Sequence, residues 1–267
     1  MDDRSTGQVT QSAAEIYETF FLPALFAQWP PQVAEAAGLQ AGQHVLDVAC
    51  GTGVLACEAA RRVTPGGRVT GLDRNPGMLE IARRKDPTVD WREGLAEALP
   101  FADAAFDAVV CQFGLMFFDD RAKALAEMWR VLKPGGRLVV ATYAAADRSP
   151  GYAGMIGLLD RLFGAEIATE LQGPFVLGDA QTLAAPFHEA GLSGPEIAEA
   201  AGEARFPSLE AWVHTDVKGW TLADKIDDAQ YRTLQQEAAS ELARFAGPDG
   251  VVSFASPALF ATLQKPG

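Results

Sequence analysis

Val45-Leu46-Asp47-Val48-Ala49-Cys50-Gly51-Thr52-Gly53 is the stretch whose reading decides the fold. Residues 44–49 are almost all apolar, with one carboxylate among them, the pattern of a strand buried on both faces. Gly51-Thr52-Gly53 reads as a tight turn, and residues 54–63 as the helix that follows it. Working outward, Pro65-Gly66-Gly67 is a turn, residues 68–72 a second strand, and residues 76–84 a helix with proline in its tolerant first turn. Residues 89–92 and 106–111 read as the third and fourth strands. Residues 121–132 form a helix whose apolar stripe is Ala122, Leu125, Met128, Trp129 and Leu132. Pro134-Gly135-Gly136 stops that helix, and residues 137–143 are the fifth strand. Strands alternating with helices on short connections predict an α/β fold, a doubly wound parallel sheet with helices on both faces.

The flanks are less regular. Ile16, Tyr17, Phe20, Phe21 and Leu25 recur at helical spacing within residues 12–29, and Pro23 breaks the run into two pieces or a kink. Residues 33–37 continue as a helix that Gly38 ends. Beyond Tyr143, residues 179–190 read as a helix, and residues 195–206 and 251–264 as two further strands, seven in all. Two helices, 208–220 and 227–245, fill the interval between them. We expect one domain over residues 1–267: an N-terminal helical lid (1–40), a cofactor-binding core (41–145), and a C-terminal part (146–267) with a helical cap near 207–247.

Composition narrows the function. With 267 residues, 48% of them hydrophobic and 21% charged, the chain has globular composition and enough length to bury a core without disulfides. A net charge of −13 disfavours nucleic acid and anionic membrane as partners. The three cysteines, Cys50, Cys57 and Cys111, have no zinc-type spacing and read as free thiols. The longest apolar run, 108–118, is too short for a bilayer span. The polar start of the chain carries no signal core, so a cytoplasmic protein is expected.

A glycine-rich turn after the first strand of a parallel sheet is where this architecture binds ligands, because the backbone can approach closely and the next helix presents free N–H groups. Asp73 ends the second strand about 20 residues further on, where an acid accepts hydrogen bonds from ribose hydroxyls. Both features suit a nucleoside. Asp47 discriminates between nucleosides: a carboxylate leading into the turn repels a pyrophosphate but suits a ligand with an ammonium group. That favours S-adenosylmethionine over NAD.

Residues 45–53 resemble the first motif of class I S-adenosylmethionine-dependent methyltransferases. Glu97-Ala98-Leu99-Pro100-Phe101 with Phe106-Asp107, Gln112-Phe113-Gly114-Leu115-Met116-Phe117-Phe118, and Leu132-Lys133-Pro134-Gly135-Gly136 resemble the ubiquinone/menaquinone-biosynthesis C-methyltransferase type of that family. The likeness is strong over residues 40–145. It implies a seven-stranded, mostly parallel, Rossmann-like sheet. It also implies that Asp47, Ala49, Gly51 and Gly53 hold the amino-acid end of the cofactor and Asp73 its ribose. Arg74 and Met78 would flank the adenine, Ala96 and Glu97 lie at its edge, and Gln112 and Phe113 pass beneath the methionine portion. The sequence departs from the family at Leu95, where an Asp or Asn often reaches the adenine amino group.

The likeness does not name the methyl acceptor. Tyr17, Phe20, Phe21, Phe117, Trp212 and Trp220 are the aromatic side chains expected around the donor methyl, and they suit a small apolar or aromatic acceptor methylated on oxygen or carbon. His214 is the candidate base, and no carboxylate is evident in that wall to receive an amine. No metal is expected, because Asp119-Asp120 precedes a helix and reads as a cap. Two other classes share part of the pattern. A dinucleotide-dependent oxidoreductase would keep the turn and Asp73 but lack Asp47 and residues 133–136. A non-catalytic adenosylmethionine-binding protein would keep the turn and lose the acceptor pocket.

Overall fold

The structure is a computed structural model and describes residues 11–219 and 221–267. The first strand, β1 (His44–Val48), is buried from Val45 onward. Its neighbours are β2 (Arg68–Asp73) and β4 (Phe106–Gln112), both parallel to it. β3 (Asp90–Glu93) pairs with β2, and β5 (Leu132–Tyr143) pairs with β4, again in parallel. β9 (Ala258–Gln264) runs antiparallel between β5 and β6 (Glu196–Ala200). The seven-stranded order is therefore β3-β2-β1-β4-β5-β9-β6. The order reverses between β1 and β4, and such a switch point opens a crevice at the carboxyl ends of the strands.

The connecting helices are α3 (Val54–Val63), α4 (Pro76–Lys85), α5 (Arg121–Val131) and α8 (Ala180–Glu189). At the N-terminal side, α2 (Pro30–Ala36) packs on α3, while α5 packs on α8. Before α2, the short helix α1 (Gln11–Ile16) runs straight into a π-helical segment, Tyr17–Phe26, with Pro23 inside it. The break expected at proline is thus taken up by widening the helix, which accommodates a residue without an N–H.

Three differences from the sequence reading concern the C-terminal part. The two late strands are each split. Residues 195–206 form β6 and β7 (Glu203–Phe206), and residues 251–264 form β8 (Val252–Ala255) and β9. β7 and β8 leave the main sheet and pair with each other. Two helices went unread, α6 (Pro150–Phe163) and α7 (Ala165–Gln172), which pack together. The cap helices are α9 (Leu209–Lys218), whose N-cap Ser208 accepts from the Ala211 amide, and α10 (Asp228–Glu241), begun by an Asp227 capping box.

Some motif residues hold the framework and lie away from the crevice. Lys133 Nζ donates to Asp107 Oδ1 at 2.8 Å, and Asp107 Oδ2 accepts the His44 amide at 2.8 Å, so the starts of β1, β4 and β5 are joined. Arg130 of α5 donates to the carbonyls of Leu99 and Phe101, and Glu127 accepts the Leu99 amide, which fixes the loop 95–101. Gly53 is set by packing. Its φ is +84°, and a Cβ there would run into the Trp91 ring. Gly53→Ala is therefore expected to lower stability by about 2–4 kcal/mol, from left-handed strain plus overpacking. Urea unfolding that shows less than about 1 kcal/mol of loss would contradict this.

Candidate active site

The crevice at the ends of β1, β2 and β4 is a cleft of about 960 Å³ including its open mouth. Its floor is the β1 turn. Ala49 has φ +58° and Gly51 φ +54°, and nothing lies within 4 Å of where a Gly51 Cβ would stand. Phe113, after β4, also has φ +54°. Two non-glycine residues in the left-handed region on one cleft wall are strained backbone of the kind found at functional sites. Asp73 ends β2 on the same wall and is buried. Its Oδ2 accepts the Gly51 amide and its Oδ1 the Asn75 amide, both at 2.8 Å. Burial pushes its carboxyl up, and those two amides oppose the shift. Each oxygen keeps a lone pair for a further donor. Asn75, not Asp73, caps α4.

The cleft brings together Tyr17, Ala49, Gly51, Asp73, Arg74, Met78, Ala96, Glu97, Gln112, Phe113 and Phe117. Asp47 and Gly53 lie behind it. Asp47 is 1% exposed, its Oδ2 is buried with no donor among the described residues, and burial holds its carboxyl well above the ordinary range, opposed by the Ala56 amide. Gln112 Oε1, on the cleft wall, is also a buried acceptor with no donor among the described residues. Arg74 reaches Asp119 at 3.7 Å, while Asp120 caps α5 by accepting the Lys123 amide. Leu95 is an exposed apolar side chain lining the cleft. Gly94, Asn75 and Leu72 also line it and carried no signal of their own in the sequence.

A second cavity, about 610 Å³, adjoins the first and shares Tyr17, Phe113 and Phe117 with it. Its other walls are Phe21, Leu25 and Phe26 of the π-helical segment, Tyr143 of β5, Tyr152 of α6, Leu171 of α7, Pro174, Phe175, and Asp216 of α9. Tyr143 stacks on Phe113 at 4.4 Å, and Tyr17 on Phe26 at 5.2 Å. The Tyr143 hydroxyl is buried without a partner among the described residues.

Three expected wall residues are elsewhere. Trp212 is fully buried in an aromatic cluster with Phe254 at 4.7 Å and Phe206 at 5.9 Å, and it lines neither cavity. Phe20 is 40% exposed and points to the outer side of the segment, because adjacent helical positions cannot share a face. His214 is exposed as well, with its ring 6.1 Å from Phe20 and its Nδ1 3.4 Å from the Tyr231 hydroxyl, so it does not reach the cavity. Trp220 lies outside the described residues.

What the sequence reading lacked is an acid in this wall, and Asp216 is one. It is 2% exposed, and its Oδ2 accepts the Trp212 indole N–H at 2.7 Å. Burial pushes its carboxyl up to about 8, with the Trp212 hydrogen bond opposing the shift. The only available signal was its place four residues after Trp212, one helical turn on the same face.

Comparison with known proteins follows the same outline. Residues 46–140 match the family model described as "Methyltransferase domain". A demethylmenaquinone methyltransferase of Renibacterium salmoninarum is 48% identical over 123 residues, 46% of this chain and 51% of that protein. Its counterpart in Deinococcus radiodurans is 40% identical over 156 residues, 57% of this chain and 62% of that one. A ubiquinone/menaquinone biosynthesis C-methyltransferase of Klebsiella pneumoniae is 43% identical over 122 residues, 43% and 49% of the two chains. The chain thus matches about half to three-fifths of these relatives' length. Among solved structures, the YcgJ protein of Bacillus subtilis superposes with a TM-score of 0.59 at 22% identity, over 89% of this chain and 98% of that one. Haemonchus contortus phosphoethanolamine N-methyltransferase 2, with S-adenosyl-L-methionine, gives 0.61 at 20% identity, over 97% and 58%. Both likenesses concern the fold alone. No helix among the described residues is long and apolar enough to cross a membrane.

The raised Asp216 carboxyl predicts a pH dependence of stability. Between about pH 4, the ordinary aspartate value, and about 8, the folded chain holds a proton there that the unfolded chain has lost. Stability therefore falls as pH rises across that window and levels off above it. Asp216→Asn, which keeps an oxygen for Trp212, is expected to be more stable than the parent by on the order of 2 kcal/mol at pH 8.5 and about equal near pH 4. Thermal unfolding at both pH values checks this; a gain independent of pH would show that the carboxyl is ionised in the folded chain.

Proposed function

We propose that this chain is an S-adenosylmethionine-dependent methyltransferase whose acceptor is a small aromatic molecule of the quinol class, methylated by direct displacement on a ring carbon or hydroxyl oxygen. The observation that carries the reading is the pair of joined cavities. One has a nucleoside-type polar wall, the other a mostly aromatic wall, and they share Tyr17, Phe113 and Phe117. The relatives named for demethylmenaquinone and ubiquinone/menaquinone support a quinone-type acceptor.

The residues present fit the cofactor. Gly51 leaves open space where a side chain would block approach, and Asp73 has lone pairs for two ribose hydroxyls. Met78 and Leu95 offer apolar cover for the adenine, with Ala96 and Glu97 at its edge and Arg74 beside it. Leu95 brings no polar group to the adenine amino nitrogen. Gln112 Oε1 on the wall and Asp47 Oδ2 beneath the turn are buried acceptors without donors among the described residues, which suits an ammonium group and opposes a pyrophosphate. Bound there, the cofactor supplies a methyl group already activated on a sulfonium sulfur. The protein's own task is to align the acceptor and exclude water.

The π-helical segment would serve that second task as a lid. Tyr17, Phe21 and Phe26 roof the aromatic cavity, and Glu18 pairs with Lys85 of α4 at 2.6 Å, latching the segment over the cleft. The acidic surface argues against a nucleic-acid acceptor, and the three free cysteines suit the cytoplasm.

Calorimetry is expected to show binding of S-adenosylhomocysteine and none of NAD, with Asp73→Ala weakening the former by about 2 kcal/mol. Unchanged affinity would remove Asp73 from the site. Amide exchange in residues 14–26 should slow when S-adenosylhomocysteine is added; equal exchange with and without it would make the segment a fixed wall. The acceptor class is tested by turnover with 1,4-naphthohydroquinone against arylalkylamines and RNA, and methylation of only the latter two would sink it.

A further inference from the structure

We propose that Asp216 is the group that takes the hydroxyl proton of the acceptor, a role that rests on the quinol-type reading above. Among the described residues, Asp216 is the only charged side chain on the aromatic cavity. Every other lining residue is apolar or a tyrosine. A carboxyl buried this deeply costs several kcal/mol of desolvation unless a cation or several donors compensate. Here one donor is supplied, the Trp212 indole, and no ion pair involving Asp216 occurs among the described residues. An acceptor for an indole N–H alone requires no ionisable group, since a backbone carbonyl or an amide oxygen serves equally. The carboxyl is therefore surplus to that structural need.

Its position is held firmly. Trp212 is wedged between Phe254, Phe206 and Tyr152, so the Trp212 hydrogen bond fixes the orientation of the Asp216 side chain one helical turn later. The titratable groups facing Asp216 are Tyr143 from β5 and Tyr152 from α6, with Tyr17 across the cavity from the π-helical segment. α7 and the turn after it contribute Leu171, Pro174 and Phe175, none of which titrates. Tyr143 also carries a buried hydroxyl without a partner among the described residues, which offers the acceptor a second polar contact and orients its ring.

The step is a proton transfer. The O–H bond of the acceptor breaks, and an O–H bond forms on the Asp216 carboxylate. The electron pair stays on the acceptor oxygen, conjugated into the ring, which raises the nucleophilicity of that oxygen and of the ortho carbon. In oxygen methylation that proton passes to water when the product leaves; in carbon methylation the ring C–H bond at the methylated carbon then breaks, its proton passes to water, and Asp216 returns its proton to the ring oxygen, restoring the hydroxyl. No other co-reactant is required. Because the carboxyl is held near 8, both its forms are accessible around neutral pH, as an acid–base group needs. The competent form is the carboxylate, so turnover should rise with pH through that value.

The experiment compares the parent chain with Asp216→Asn and Tyr143→Phe, using 1,4-naphthohydroquinone as acceptor. Asp216→Asn should lower kcat about 100-fold or more and abolish the rising limb near pH 8, while affinity for S-adenosylhomocysteine changes less than about twofold. Tyr143→Phe should raise KM several-fold and leave the limb in place. A readout independent of turnover is the infrared band of a protonated carboxyl. It should titrate near pH 8 in the parent chain without any ligand and be missing in Asp216→Asn. An Asp216→Asn chain with the parent kcat and limb would overturn the proposal, as would a parent band that titrates near pH 4. A parent chain inactive on the hydroquinone but active on amines would overturn the acceptor reading and this role with it. The parent arm alone separates that failure from the other two.

Discussion

The hydrogen bond from the Gly51 amide to Asp73 Oδ2 is the contact on which the polar wall of the cleft depends. It joins the turn after β1 to the end of β2, two loops that would otherwise be independent. The same carboxylate takes the Asn75 amide and so sets where α4 starts. Beneath them the Trp91 ring fills the space that side chains at Gly53 and Gly71 would occupy. Turn, acid and helix start are thereby held as one rigid unit, and a rigid polar wall is what a ligand with fixed hydroxyl geometry requires.

Three buried carboxylates mark three different tasks. Asp73 is satisfied by two amides and still faces the cleft. Asp47 sits beneath the turn with an unpaired oxygen, a deficit that a cationic ligand would relieve. Asp216 stands alone in an aromatic cavity on a single indole donor. Burial raises the carboxyl of each, which costs stability as pH rises. All three lie at or beside the same pair of cavities.

The shared residues Tyr17, Phe113 and Phe117 explain how the two cavities communicate. Phe113 is presented by a left-handed backbone at the end of β4, stacked on Tyr143 of β5 and in contact with Trp29 and Phe26 of the N-terminal region. One ring therefore ties the sheet edge to the segment that roofs the site. A change in that segment would be felt at both cavities through this stack.

The parallel core was legible in the sequence because its signals are local. An apolar run, a glycine turn and an amphipathic helix each occupy a few consecutive residues, and their alternation leaves one architecture. The cleft residues at the strand ends were legible for the same reason, since strand ends can be counted. The tasks of Gly53, Lys133 and Asp107 were not separable from ligand binding in one dimension; Trp91, His44 and the neighbouring strands decide them. The C-terminal part depended on contacts distant in sequence. β7 and β8 pair with each other across about 50 residues, and that pairing splits what read as two continuous strands. Whether an aromatic on α9 faces core or cavity depends on which side of the helix meets β8, so Trp212 went to the core and His214 to the surface. Asp216 reached the aromatic cavity only because the Trp212 indole and aromatic side chains from several separate elements close around it, a constraint that tertiary packing alone supplies.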